Sequence, residues 1–166
     1  MSMWWCLQLR REAASVPLAR RLLVNAMDSA GVDSEVAYEL SLALSEACAN
    51  AVEHGTGERS DAYCVTAYLD GDRCRIEVAD SGPGFRAAAA SRVRGGPLEA
   101  ETGRGLVLIE SLADHLRVQN KPDHGGAVVT FDKTLKWRHG HGGPGNGTTG
   151  GAERPESGPS PLLAAG

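Results

Sequence analysis

Little in this sequence supports the commonest routes to a membrane, to nucleic acid or to covalent catalysis. No apolar run in the 166 residues approaches the roughly 20 needed to cross a bilayer. The opening Met1-Ser2-Met3-Trp4-Trp5-Cys6-Leu7 carries no charged leader and no apolar h-region. A cytoplasmic protein is therefore expected. Basic residues show no excess: 17 Lys and Arg stand against 21 Asp and Glu, a formal net charge of -4, which disfavours a nucleic-acid surface. The four cysteines, at 6, 48, 64 and 74, form no C-x-x-C and no metal-like pairing. Three of them sit inside apolar patterns, so free buried thiols are expected. Also missing are the phosphate loop G-x-x-x-x-G-K-[ST], a strand-G-x-G-x-x-G-helix unit and the nucleophile elbow G-x-S-x-G. No P-loop is present, and nothing supports a dinucleotide fold or a covalent nucleophile.

What is present fits one globular domain. Hydrophobic residues make up 42% of the chain, and the tail beyond Trp137 is mostly Gly, Pro, Ser and Thr, too poor in apolar residues to order itself. The expected organisation is a domain over 1–136 and a disordered tail over 137–166. Trp4 to Leu9 has the composition of a first strand, perhaps at an edge. Ser15 as N-cap, Pro17 in the first turn and Gly31 as stop bracket a helix carrying Leu18, Leu22, Val24 and Met27. Asp33 caps a longer helix, ending at Gly55, whose Val36, Leu40, Leu44, Ala47 and Ala51 make one apolar stripe. Ala62–Leu69 and Arg73–Ala79 read as a hairpin around Asp70-Gly71-Asp72. A mobile loop is expected over 85–102, a helix over Gly105–His115, and two closing strands near Leu116–Asn120 and Ala127–Lys133. This order predicts an α+β two-layer sandwich, a mixed or antiparallel sheet covered on one face by about three helices.

Three short constellations carry chemistry. Glu46 and Asn50, at i and i+4, share a helix face beside the apolar stripe, at the rim of the core. An amide oxygen there can ligate Mg²⁺, and a carboxylate can take a proton from a hydroxyl nucleophile. A solvated polar stripe with Glu35, Glu39 and Glu53 is the bland alternative. Asp80 ends a strand ahead of Gly82 and Gly84, where a carboxylate can accept a hydrogen bond from an exocyclic amine and reject a ring carbonyl; an ordinary turn is the competing reading. Gly103-Arg104-Gly105 precedes a helical pattern, so free N–H groups of its first turn form a phosphate seat, or else the glycines are a hinge. Arg10, Arg11, Arg20 and Arg21 form a basic cluster that reads as a solvated helix face or a surface for an acidic partner. His54 reads as a packing histidine at a helix end; His139 and His141 fall in the tail.

In combination and in this order, the three constellations resemble the ATPase superfamily of gyrase, the Bergerat-fold chaperones, histidine kinases and mismatch-repair ATPases. The N box matches Glu46 and Asn50, the first glycine box Asp80, Gly82 and Gly84, and the second Gly103 and Gly105. Ser45 to Gly55 and Leu18-Ala19-Arg20 further resemble the bacterial anti-sigma factors that are serine-protein kinases. The resemblance covers roughly residues 5 to 135. It implies ATP and Mg²⁺ as cofactors, Asn50 as metal ligand and Glu46 as general base. Cofactor-binding roles follow for Asn50, Asp80, Gly82, Gly84, Gly103, Arg104, Gly105 and Leu106. Its implied partners are a sigma factor and an anti-anti-sigma factor bearing the acceptor serine, with Arg20 on their shared surface, and a homodimer near the first strand. Relatives often carry Thr after the glycine that opens the last strand; here Ala127 follows Gly126, with Thr130 further on. Two alternatives to the kinase are a non-catalytic, nucleotide-gated binding module and the detached catalytic domain of a histidine kinase.

Overall fold

A computed structural model describes residues 2–54, 61–80, 101–120 and 126–138. Among them are strands β1 (Ser2–Arg10), β2 (Ala62–Asp70), β3 (Arg73–Asp80), β4 (His115–Asn120) and β5 (Ala127–Thr134), and helices α1 (Ser15–Ala30), α2 (Ser34–His54) and α3 (Glu101–Leu112). The sheet runs β1-β2-β3-β5-β4, with β1 and β4 at the edges. Every pairing is antiparallel. Of the two sheet types expected, the antiparallel one is found.

Local chemistry explains the helix limits. At the end of α1, Gly31 adopts φ 83, its N–H donates to the Asp28 carbonyl, and the Val32 N–H reaches back to the Met27 carbonyl. This is a Schellman cap, and its hydrophobic contact joins Met27 and Val32, both within 1% of full burial. Asp33 then caps α2: its Oδ1 accepts the Glu35 N–H at 3.0 Å and the Val36 N–H at 3.4 Å. Ser15 departs from expectation. Residue Ala14 occupies the N-cap of α1 with no side-chain bond, while the Ser15 hydroxyl donates to the Glu12 carbonyl and pairs with the buried Tyr63 hydroxyl, each at 2.7 Å.

The core lies between the sheet and the helices. The expected stripe of α2 is buried throughout, with Val36, Leu40, Leu44, Ala47 and Ala51 all at 6% exposure or less. On α1 the expected Met27 is buried, but its line runs through Ala19 and Leu23, while Leu18, Leu22 and Val24 stay exposed. Two adjacent i, i+4 rows compete on this helix, and the row beginning with small residues, Ser15 and Ala19, permits the close approach to α2. Lys133 of β5 ties three elements together, pairing with Glu39 of α2 at 2.8 Å and donating to the Leu112 carbonyl at the end of α3.

After β5 the chain returns to the α1–α2 junction. The Asp33 N–H donates to the Lys136 carbonyl, Trp137 bridges Val32, and the Arg138 guanidinium pairs with Asp28. The described body thus extends to Arg138. The expected tail beyond it lies outside the described residues.

The opposite sheet face carries Trp4, Cys6, Cys64, Tyr68, Arg75 and Arg117 and is uncovered among the described residues. The expected burial of the thiols therefore holds only in part. Cys48 and Cys74 are buried, and burial pushes both thiols up to about 12. Cys6 is exposed and Cys64 half-buried. β2 turns Tyr63, Val65, Ala67 and Leu69 inward, so alternation sends Cys64 outward.

Candidate functional site

Helical geometry places Glu46 and Asn50 one turn apart on α2, beside its buried stripe, and the structure puts them at the rim as expected: Glu46 is half-buried and Asn50 is 4% exposed. Helix α3 begins at Glu101, four residues before the expected start, so Gly103 and Gly105 lie inside its first turns and not ahead of it. That correction brings the second glycine box onto the first constellation. A Cβ at Gly105 would stand 3.0 Å from Glu46 Oε2 and 3.4 Å from both Asn50 Oδ1 and Nδ2. A glycine here lets the helix backbone approach the carboxylate and the amide directly. Gly105→Ala is a direct check. Loss of an interior helical glycine adds roughly 0.5–1 kcal/mol of intrinsic helix stability. The new methyl displaces Glu46 and Asn50, so nucleotide affinity falls about tenfold while the melting temperature holds or rises. Unchanged affinity in a titration would contradict the assignment.

Asp80 closes β3 and is buried at 6% exposure. With Asn50 it borders a small cavity lined by Ala47, Ala51, Val78, Ala127 and Val129. At about 10 Å³ the cavity has room for one water molecule and forms a floor, not a full ligand pocket. Ala127, singled out in the sequence as the residue after Gly126, lines this cavity with its methyl group. Thr130 does not replace it, since it belongs to a depression of about 480 Å³ on the uncovered sheet face, far in register from Asp80. None of the expected site residues lines that larger depression.

The remaining expectations divide. Leu106 is 1% exposed and belongs to the core, so only its backbone is available to a ligand. Gly103 is half-buried and Arg104 exposed on the first turns of α3. Arg20 of α1 is half-buried, its guanidinium 5.8 Å from the ring centre of the exposed Tyr38, a cation–π contact between α1 and α2. Gly82, Gly84 and the loop over 85–100 lie outside the described residues. So do residues 55–60 and 121–125, with Gly55 among them, while the helix end at His54 is described without its side chain.

Arg11 is the residue whose place the sequence did not reveal. Expected on a solvated face, it is inside the protein: its side chain is 9% exposed and its Nη2 lies 3.4 Å from Asp80 Oδ1, whose side chain is 8% exposed. No sequence signal marks it, because its neighbour Arg10 is 84% exposed and the two look alike in the chain.

The donor set fits a metal–nucleotide ligand. Asn50 Nδ2 is buried with no hydrogen-bond partner among the described residues, an arrangement that a folded protein rarely leaves without purpose. A hard oxygen from the same amide, a carboxylate one turn away, a helix whose first turns carry Gly103 and Gly105, and a second buried carboxylate together suit metal, phosphate and amine recognition.

Comparison with known proteins shows the family and the fold. Residues 9–133 match the family model of the histidine kinase-like ATPase domain. The chain is 34% identical over 119 residues to the serine-protein kinase RsbW of Bacillus subtilis, covering 63% of this chain and 72% of that protein. It is 29% identical over 134 residues to the serine-protein kinase RsbW of Staphylococcus aureus, covering 75% and 82%. Among solved structures, the RsbU and RsbW domains of a Mycobacterium tuberculosis protein superpose with a TM-score of 0.62 at 24% identity, over 80% of this chain and 32% of that one, so the chain spans about a third of that structure. The chain belongs to the histidine kinase-like ATPase domain family, in the branch that includes the serine-protein kinases.

Proposed function

We propose that this protein is an ATP- and Mg²⁺-dependent protein-serine kinase that phosphorylates an anti-anti-sigma partner and, in alternation, sequesters a sigma factor. The single observation that carries the reading is the packing of Gly105 onto Glu46 and Asn50, which joins a candidate base, a candidate metal ligand and a helix N-terminus in one place. Asn50 would hold the metal through its amide oxygen, Asp80 would accept the exocyclic amine of the purine, and the first turn of α3 would face the phosphates. When bound, Mg²⁺ neutralises charge on the transferring phosphate. The chain's own part is positioning and proton transfer. Glu46 accepts the proton of the serine hydroxyl as that oxygen attacks in line, and its half-buried place beside the backbone of α3 keeps it aimed.

Arg20, stacked on Tyr38 beside the exposed Leu18 and Leu22, supports a protein-binding surface on α1. Trp4, 69% exposed on the edge strand β1, supports a homodimer through that strand. No helix among the described residues is long and apolar enough to cross a membrane. We place the kinase in the cytoplasm, with its ATP-binding domain running from the start of β1 to about Arg138.

Incubation with γ-labelled ATP, Mg²⁺ and candidate partner domains tests the function. Acid-stable label on a partner serine is the expected result. Acid-labile label would indicate phosphohistidine and a detached histidine-kinase domain, and nucleotide binding without any transfer would indicate a gated binding module.

A further inference from the structure

Arg11 follows directly on β1, and its backbone N–H donates to the Asp61 carbonyl at 2.8 Å, which pins the chain beside the start of β2 and turns the side chain inward. A guanidinium is always charged, carries five donors in a fixed fork, and is costly to bury. Here one nitrogen meets Asp80 at 3.4 Å, while Nε and Nη1 are buried with no partner among the described residues. As a stabilising device that arrangement is poor, because an apolar side chain of similar volume would serve the fold at least as well. Its place relative to the cavity is informative. Asp80 lines the cavity with Asn50; Arg11 does not. The guanidinium therefore grips the carboxylate from outside the cavity.

We propose that Arg11 is a positioning residue for purine recognition: it fixes the rotation of the Asp80 carboxylate so that an acceptor edge faces the cavity, and thereby sets the preference for an exocyclic amine over a ring carbonyl. This rests on the reading of Asp80 as the purine-recognising group. Titration calorimetry with ATP and with inosine triphosphate, which replaces the amine by a carbonyl and carries a hydrogen on the adjacent ring nitrogen, measures the preference as a ratio of affinities. The ratio is insensitive to moderate loss of stability, so it separates positioning from a structural role. In the wild type ATP is favoured by at least about 100-fold, the discrimination expected when a buried acceptor is left facing a carbonyl. Arg11→Met lowers the ratio about tenfold, and Arg11→Lys, which keeps the charge and loses the fork, recovers part of it. If Asp80→Asn collapses the ratio while both Arg11 variants leave it intact, the role of Arg11 is wrong and that of Asp80 stands. If Asp80→Asn also leaves it intact, the reading of Asp80 itself falls. Tighter ATP binding by Arg11→Met would overturn the proposal in favour of a latch that competes with the ligand.

An independent observation lies on the uncovered sheet face. The register sets Cys6 opposite Thr66 and Gln8 opposite Cys64, so the two cysteines are diagonal neighbours, and their sulfurs are 2.8 Å apart. Thr66 donates to Cys6 Sγ at 3.5 Å, and the hydrogen bonds from Cys64 and Thr66 hold the Cys6 thiol below its usual range. We infer that Cys6 and Cys64 form a dithiol that a peroxide oxidises to an intramolecular disulfide across β1 and β2. The Cys6 thiolate attacks one peroxide oxygen, the O–O bond breaks, and a sulfenic acid forms while the departing hydroxide takes up the proton released from the Cys6 thiol to leave as water. Cys64 then attacks that sulfur, the S–S bond forms, and the hydroxyl leaves as water with the second thiol proton; the peroxide is reduced and the two thiols are oxidised. The sulfurs need to close by less than about 1 Å to reach bonding distance. Intact mass of the full chain after hydrogen peroxide treatment should fall by about 2 Da, with recovery under dithiothreitol and a Cys6–Cys64 linked peptide on digestion. Cys64→Ser should lose the mass change. An unchanged mass in the wild type, or the same loss in Cys64→Ser, would overturn the assignment.

Discussion

Glu46→Gln slows serine phosphorylation by roughly 10²–10⁴-fold while leaving ATP affinity within about twofold of the wild type. The substitution keeps the volume and the hydrogen-bonding reach of the side chain, so the packing of Gly105 against it is retained. What is lost is the ability to accept a proton. General-base catalysis contributes roughly 10²–10⁴-fold to rate, and that is the fall expected in kcat. A partner domain phosphorylated at equal rates by both proteins would remove Glu46 from the mechanism and leave it as part of the polar stripe of α2.

Asp80→Asn acts on folding and on binding together. Inside the protein it leaves the Arg11 guanidinium, 9% exposed, without its counter-charge. Breaking a buried pair on one side costs about 3–5 kcal/mol, which a denaturant titration reads directly. In the cavity the amide presents a donor where the purine amine needs an acceptor, so ATP binding weakens by at least about 100-fold at temperatures where the variant is folded. A variant of normal stability would mean that the Arg11 contact is worth little. Retained ATP affinity would mean that Asp80 does not read the base.

Much of this arrangement is legible in the chain because its signals are local. Gly31 and Asp33 mark the α1–α2 junction by cap chemistry that acts within a few residues. Glu46 and Asn50 share a face by helical period alone, and Asp70-Gly71-Asp72 closes the β2–β3 hairpin with Gly71 at φ 57. Long-range pairing is different. Arg11 and Asp80 are 69 residues apart, and nothing in the arginines at 10, 11, 20 and 21 says which one pairs with a buried carboxylate. The face of α1 is hidden for a related reason: Leu18 and Leu22 outweigh Ala19 and Leu23 in hydrophobicity, yet close packing against α2 selects the smaller row. The start of α3 is not legible because Gly103 and Gly105 are poor helix formers, and tertiary contact with α2 overrides that propensity.

Titration calorimetry of the wild-type chain with ATP in the presence and absence of Mg²⁺ tests the central claim most directly. One saturable site per chain, weakened when the metal is chelated, is the predicted result; no saturable heat under either condition would contradict the nucleotide site and everything built on it.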